Sequence, residues 1–89
     1  MRAIISVIGK DTFGILSRVS GVCFSNKANI VDVNQSILQD MFVMVMMLDI
    51  SDDKCDFSAL KADLERLGKE IGMQINIMHE DIFNSMHRI

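Results

Sequence analysis

With 89 residues, 49% apolar side chains and a formal net charge of −3, the chain has the length of one domain and many core-forming residues for its size. Its nine basic residues are scattered among twelve acidic ones without a Lys/Arg run, which argues against a nucleic-acid partner, since phosphate neutralisation demands a clustered basic face. Cys23 and Cys55 form no CxxC and no zinc-type spacing, the apolar run 41–48 is too short to span a bilayer, and strand-like residues start at once. The expectation is a cytoplasmic chain without signal peptide, membrane segment or disulfide framework.

Residues 2–8 are dense in Ile and Val and stop at Gly9, as a first strand does. Gly9-Lys10-Asp11-Thr12-Phe13-Gly14 reads as a turn-rich loop. Ile15, Leu16, Val19, Val22 and Cys23 then share one face at helical spacing, while Ser17, Arg18 and Ser20 lie elsewhere. Asp11 or Thr12 stands where it would cap that helix by accepting from its unpaired N–H groups. The pattern stops at Asn26-Lys27-Ala28-Asn29, where Asn tolerates left-handed geometry. Residues 30–38 and 42–50 are two strands, and the short link Gln39-Asp40-Met41 dictates an antiparallel hairpin. A polar loop over 51–56, with Cys55 in it, leads to a second helical stripe of Phe57, Leu60, Leu64, Leu67 and Ile71. Asp56 or Ser58 would cap that helix and Gly72 would end it. Residues 73–78 alternate as a fourth strand, and Ile82, Phe83, Met86 and Ile89 recur at helical spacing in a terminal helix over 80–89.

The order βαββαβ, with right-handed crossovers, predicts an α+β, ferredoxin-like sandwich: a four-stranded antiparallel sheet with two helices on one face. No proline, low-complexity stretch or linker divides the chain, so residues 1–89 are expected to form one domain, a core over 1–80 and a helical extension over 81–89. The third strand is apolar on both sides, with Phe42, Met44, Met46 and Leu48 on one and Val43, Val45 and Met47 on the other. An open antiparallel face ordinarily alternates with polar residues. A cover is therefore expected: a partner subunit, the terminal helix with Ile82, Phe83 and Met86, or both.

Fold alone leaves function open. The first loop lacks the paired cysteines of a metal carrier and the arginine that forks a phosphate, Lys10 being its one cation. There is no Trp or Tyr, and the five Phe stand in no base-stacking motif. No serine sits in a nucleophile signature and no carboxylate pair stands out, so neither catalysis nor a cofactor is expected. His79 and His87, with Glu80 and Asp81 nearby, are weighed as a metal site and set aside as surface residues, because residue 79 falls in the fourth strand. Asp52, Asp53 and Asp56 lack the glycine and terminal Glu of a calcium loop, and Met44, Met46 and Met47 read as adaptable filler.

The stretch Gly9-Lys10-Asp11-Thr12-Phe13-Gly14-Ile15-Leu16, with Asn29-Ile30 after the helix, resembles the ACT domain family in its glycine-ended turn, its Ile-Leu pair and the Asn-Ile that opens the second strand. The likeness covers residues 1 to about 80. The tail from His79 to Ile89 is similar to that of small single ACT domains of unassigned function in bacteria and archaea (UPF0237-like). The resemblance implies a non-catalytic regulatory domain that pairs side by side through its sheet and binds an amino acid at the homodimer interface, with a target protein receiving the signal. By the same resemblance, loop N–H and C=O groups hold the ligand, Gly14 permits close approach, Asn29 bonds it through its amide and Asp11 faces an ammonium. Phe13 replaces a frequent proline, which loosens the loop. The candidate ligand residues are thus Gly9, Lys10, Asp11, Thr12, Phe13, Gly14, Ile15, Leu16, Asn29 and Ile30. Four of them also have a plainer role: Asp11 as a cap, Gly9 and Gly14 as turn formers, Asn29 as a helix terminator. The alternative function is a dimerisation or protein-interaction module without a ligand.

Overall fold

Apolar alternation sets the strand pairing, and the strands set where the helices can lie. The computed structural model describes residues 1–10, 12–51 and 53–86. It contains β1 (Arg2–Lys10), α1 (Ile15–Ser25), β2 (Asn29–Leu38), β3 (Met41–Asp49), α2 (Phe57–Ile71), β4 (Gln74–His79) and α3 (Glu80–Met86). The strands form one antiparallel sheet in the order β2-β3-β1-β4, the predicted ferredoxin-like plan. Ala3, Ile5 and Val7 of β1 alternate onto the same face as Phe42, Met44, Met46 and Leu48 of β3 and Ile75 and Ile77 of β4. Ile15, Val19 and Cys23 of α1 and Leu60, Leu64 and Leu67 of α2 close over that face. Each large side chain buried this way contributes about 1.5–3 kcal/mol.

Two glycines mark close approaches. β1 runs two residues past its predicted end, and Gly9 and Lys10 pair with Phe42 and Met41. Gly9 is therefore a strand residue and forms no part of the turn: a Cβ there would stand 2.5 Å from Met73 Sδ. Gly68 sits in α2 where the helix meets the chain entering β4, and a Cβ on it would stand 2.8 Å from the Met73 carbonyl oxygen.

The helix ends follow local chemistry. Asp56 caps α2 as predicted, its side chain accepting from Ser58 N at 2.9 Å and Ala59 N at 3.4 Å. Gly72 ends that helix in the left-handed conformation, with φ 69°. At the end of α1 the left-handed residue is Lys27, φ 60°, while Asn26 is the C-cap. Asn29 is thus no helix terminator; it opens β2. Of the two expected caps on α1, Asp11 lies outside the described residues and Thr12 makes no such bond; Gly14 holds the N-cap position. Cys55, read from sequence as a loop residue, is buried with the core, 5% exposed.

The outer sheet face is partly covered. Ile4 lies opposite Met47 and Met78 on that face, yet it is only 4% exposed, because α3 packs across β1 and β4. Val43, Val45 and Met47 are half-buried and Ile8 remains 40% exposed. Of the three terminal-helix residues expected to form the cover, Phe83 is half-buried while Ile82 and Met86 stay exposed. A seven-residue helix is too short to reach across four strands.

Candidate functional site

The first loop delivers the chain from β1 into α1. Asp11, the expected ammonium partner, lies outside the described residues. Phe13 and Gly14 form the turn, with Phe13 wholly exposed. Gly14 takes φ 78° and ψ 19°, a conformation that glycine adopts freely and side chains resist. The first backbone N–H of the turn to find a helical partner is that of Arg18, which donates to the Gly14 carbonyl at 3.0 Å. The first turn carries no acidic residue, and the donors of Ile15, Leu16 and Ser17 meet no capping side chain among the described residues. Unpaired donors at the positive end of a helix dipole attract a carboxylate.

The sheet register separates the candidate residues into two groups. Lys10 stands level with Met41 and Leu38, at the end of the sheet that carries the loop and the β2–β3 hairpin tip. Asn29 stands level with Asp49 and Arg2, at the opposite end. The length of β1 between those two levels is roughly 25 Å. Within one protomer, then, Gly9, Lys10, Thr12, Phe13, Gly14, Ile15 and Leu16 come together, and Asn29 and Ile30 do not join them.

Asn29 has its own surroundings. An open concavity of about 540 Å³ is lined by Phe24, Ser25, Lys27, Ala28 and Asn29. Ile30 is half-buried against the core. Phe24 and Lys27 were not read as site residues from the sequence. The available signal was Phe24 itself, a large apolar side chain off the Ile15–Val19–Cys23 stripe and 84% exposed. Lys27 is held in place by the turn that ends α1: its N–H donates to Phe24 O at 3.1 Å, and Ala28 N–H donates to Cys23 O at 2.9 Å.

Between these two ends runs β2, which among the described residues is an edge strand paired with β3 alone. Along it Val31, Ile37 and Leu38 are 48%, 56% and 66% exposed. Its one charged residue is Asp32.

The other polar groups of the molecule hold the fold. Asn26 Nδ2 bridges the helices by donating to Val22 O at 2.9 Å and to Asp63 Oδ2 at 3.0 Å. That hydrogen bond, with lesser help from the Arg66 guanidinium, holds the Asp63 carboxyl below the usual carboxylate range. Burial, reinforced by Cys55, pushes the Cys23 thiol up to about 11. Among the described residues no group of three or more His, Cys, Asp and Glu side chains is arranged to hold a metal. His87, one half of the metal pair weighed from sequence, lies outside the described residues. No described helix is long and apolar enough to cross a membrane.

A sequence profile of the ACT domain matches residues 2–78. The chain belongs to the ACT domain family. A UPF0237 protein of Methanocaldococcus jannaschii is 49% identical over 99% of this chain and 98% of its own length. The solved structure of an ACT domain protein from Streptococcus pneumoniae is 40% identical, covers 93% of each chain and superposes with a TM-score of 0.80. The ligand-free regulatory subunit of aspartate kinase from Thermus thermophilus shares the fold at 20% identity and a TM-score of 0.67, and this ACT domain spans half of that subunit.

Proposed function

We propose that this ACT domain is a non-catalytic homodimeric sensor in which β2 of each protomer pairs antiparallel with β2 of the other. The first loop of one protomer and Asn29 of its partner then wall a shared amino-acid site, two per dimer. The observation that carries this reading is the register: the residues with ligand chemistry lie at opposite ends of the sheet, the loop after the interior strand β1 and Asn29 on the edge strand β2. An antiparallel two-fold across that edge carries each Asn29 to the end of the sheet where the partner's loop lies. β2 also lacks the usual defences of an exposed edge, having no proline, one charge and three exposed large apolar residues. In this arrangement the ligand carboxylate meets the first turn of the partner's α1, which no described side chain caps. The Asn29 amide, with a donor and an acceptor, meets the carboxylate and the ammonium together.

Sedimentation and calorimetry with a panel of amino acids test the reading. A dimer that binds at least one of them, and an Asn29→Ala variant that stays dimeric and loses binding, are the expected results. A dimer that binds none at millimolar concentration would instead make the domain a ligand-free dimerisation module, and a monomer would remove the shared site altogether.

A further inference from the structure

The concavity at the end of α1 has a chemistry of its own, and from it we infer that the ligand of the shared site is an amino acid with a bulky apolar side chain, aliphatic or aromatic. This rests on the shared-site reading above and specifies the substrate class of that site. Phe24 is 84% exposed on a helix whose core stripe runs elsewhere, so no packing among the described residues accounts for an aromatic ring at that position. It lines the same hollow as Lys27 and Asn29. The backbone bonds that end α1 fix the spacing between the three. An ammonium for the carboxylate, an amide for the two α-groups and a ring for the side chain are the complement of an apolar α-amino acid.

The far wall has the same character. Antiparallel pairing along β2 turns the partner's hairpin tip toward this hollow, and the tip carries the partner's Ile37, which lies on the helix-bearing face level with Phe42 and is more than half exposed in the protomer. Phe24, Ser25, Lys27, Ala28 and Asn29 include no carboxylate that could meet a basic side chain. Lys27 is the one cation among the described residues of the protomer that line the hollow. A polar group placed against Phe24 would lose water without gaining a hydrogen bond. The volume of about 540 Å³ falls inside the range of roughly 300–1,000 Å³ common for small-molecule sites.

Calorimetry on the wild-type dimer with leucine, phenylalanine, serine, glutamate and lysine reads the ranking without any variant. Leucine or phenylalanine should bind at least about tenfold tighter than the other three, the discrimination that a few buried methylenes supply. Phe24→Ala should cut that affinity by about tenfold while sedimentation shows the dimer intact, and Phe24→Leu should keep most of it. Serine, glutamate or lysine binding as tightly as the apolar pair would overturn the inference, as would a dimeric Phe24→Ala variant with unchanged affinity for leucine and phenylalanine. Failure of the parent reading looks different: none of the five ligands binds, or Asn29→Ala binds them as wild type does, and either outcome removes both.

Discussion

At the scale of single residues, two helical glycines make opposite demands. Gly68 faces the Met73 carbonyl at a distance no Cβ can share, so Gly68→Ala should destabilise by about 1–3 kcal/mol despite its gain in helix propensity. Gly21 lies on the exposed side of α1 with nothing within 4 Å of an added Cβ, and Gly21→Ala should stabilise by about 0.5–1 kcal/mol. Urea unfolding of the two variants checks both signs at once. The thiols give a second test. Cys23 and Cys55 are both buried, and burial raises the pKa of each, Cys23 to about 11. In the folded protein at pH 8 neither should react appreciably with a thiol reagent over minutes, and both should react once urea unfolds the chain. Fast labelling of either thiol without urea would show that the core opens there. Neither Gly68 nor the burial of Cys55 was legible in the sequence, because each depends on which backbone or side chain packs opposite, a fact of tertiary structure that periodicity does not carry.

At the scale of elements, periodicity identified every helix and strand, and its errors fall at their ends. Gly9 was read as a stop because glycine usually breaks strands; here it continues β1 so that Met73 can pack against it. Asp11 or Thr12 was read as a cap because both precede the helix, but the backbone enters α1 through the left-handed Gly14 and Thr12 makes no capping bond. A first turn that no described side chain caps is what makes the loop a candidate anion site. The packing of α1 on α2 is tied by Asn26 and Asp63. The Asp63 pKa is depressed in the folded state, so its contribution to stability is complete above the ordinary carboxylate range and is lost as pH falls through its lowered value. Thermal midpoints followed from neutral pH into acid should therefore drop less steeply in Asp63→Asn than in wild type; an unchanged acid slope would show that the carboxylate contributes nothing.

At the scale of the whole molecule, the sequence announced an apolar second sheet face and left its cover open between a partner and the tail. The described part of the tail, through Met86, covers the end of the face around Ile4. The split of the site could not be read from residue order, because Gly14 and Asn29 are close in sequence and their separation appears only once β1 and β2 are seen to run the same way on either side of β3. Complementation between two defective dimers tests the shared site most directly. Gly14→Val strains the left-handed turn and spoils the loop, Asn29→Ala spoils the other wall, and each homodimer alone should fail to bind the amino acid that wild type binds. Mixed and allowed to exchange subunits, the two should regain binding at about a quarter of the wild-type number of sites, since half the dimers are then heterodimers with one intact site of two. Subunit exchange without any recovery of binding would contradict the account, because it would mean that the loop and Asn29 do not meet across the interface.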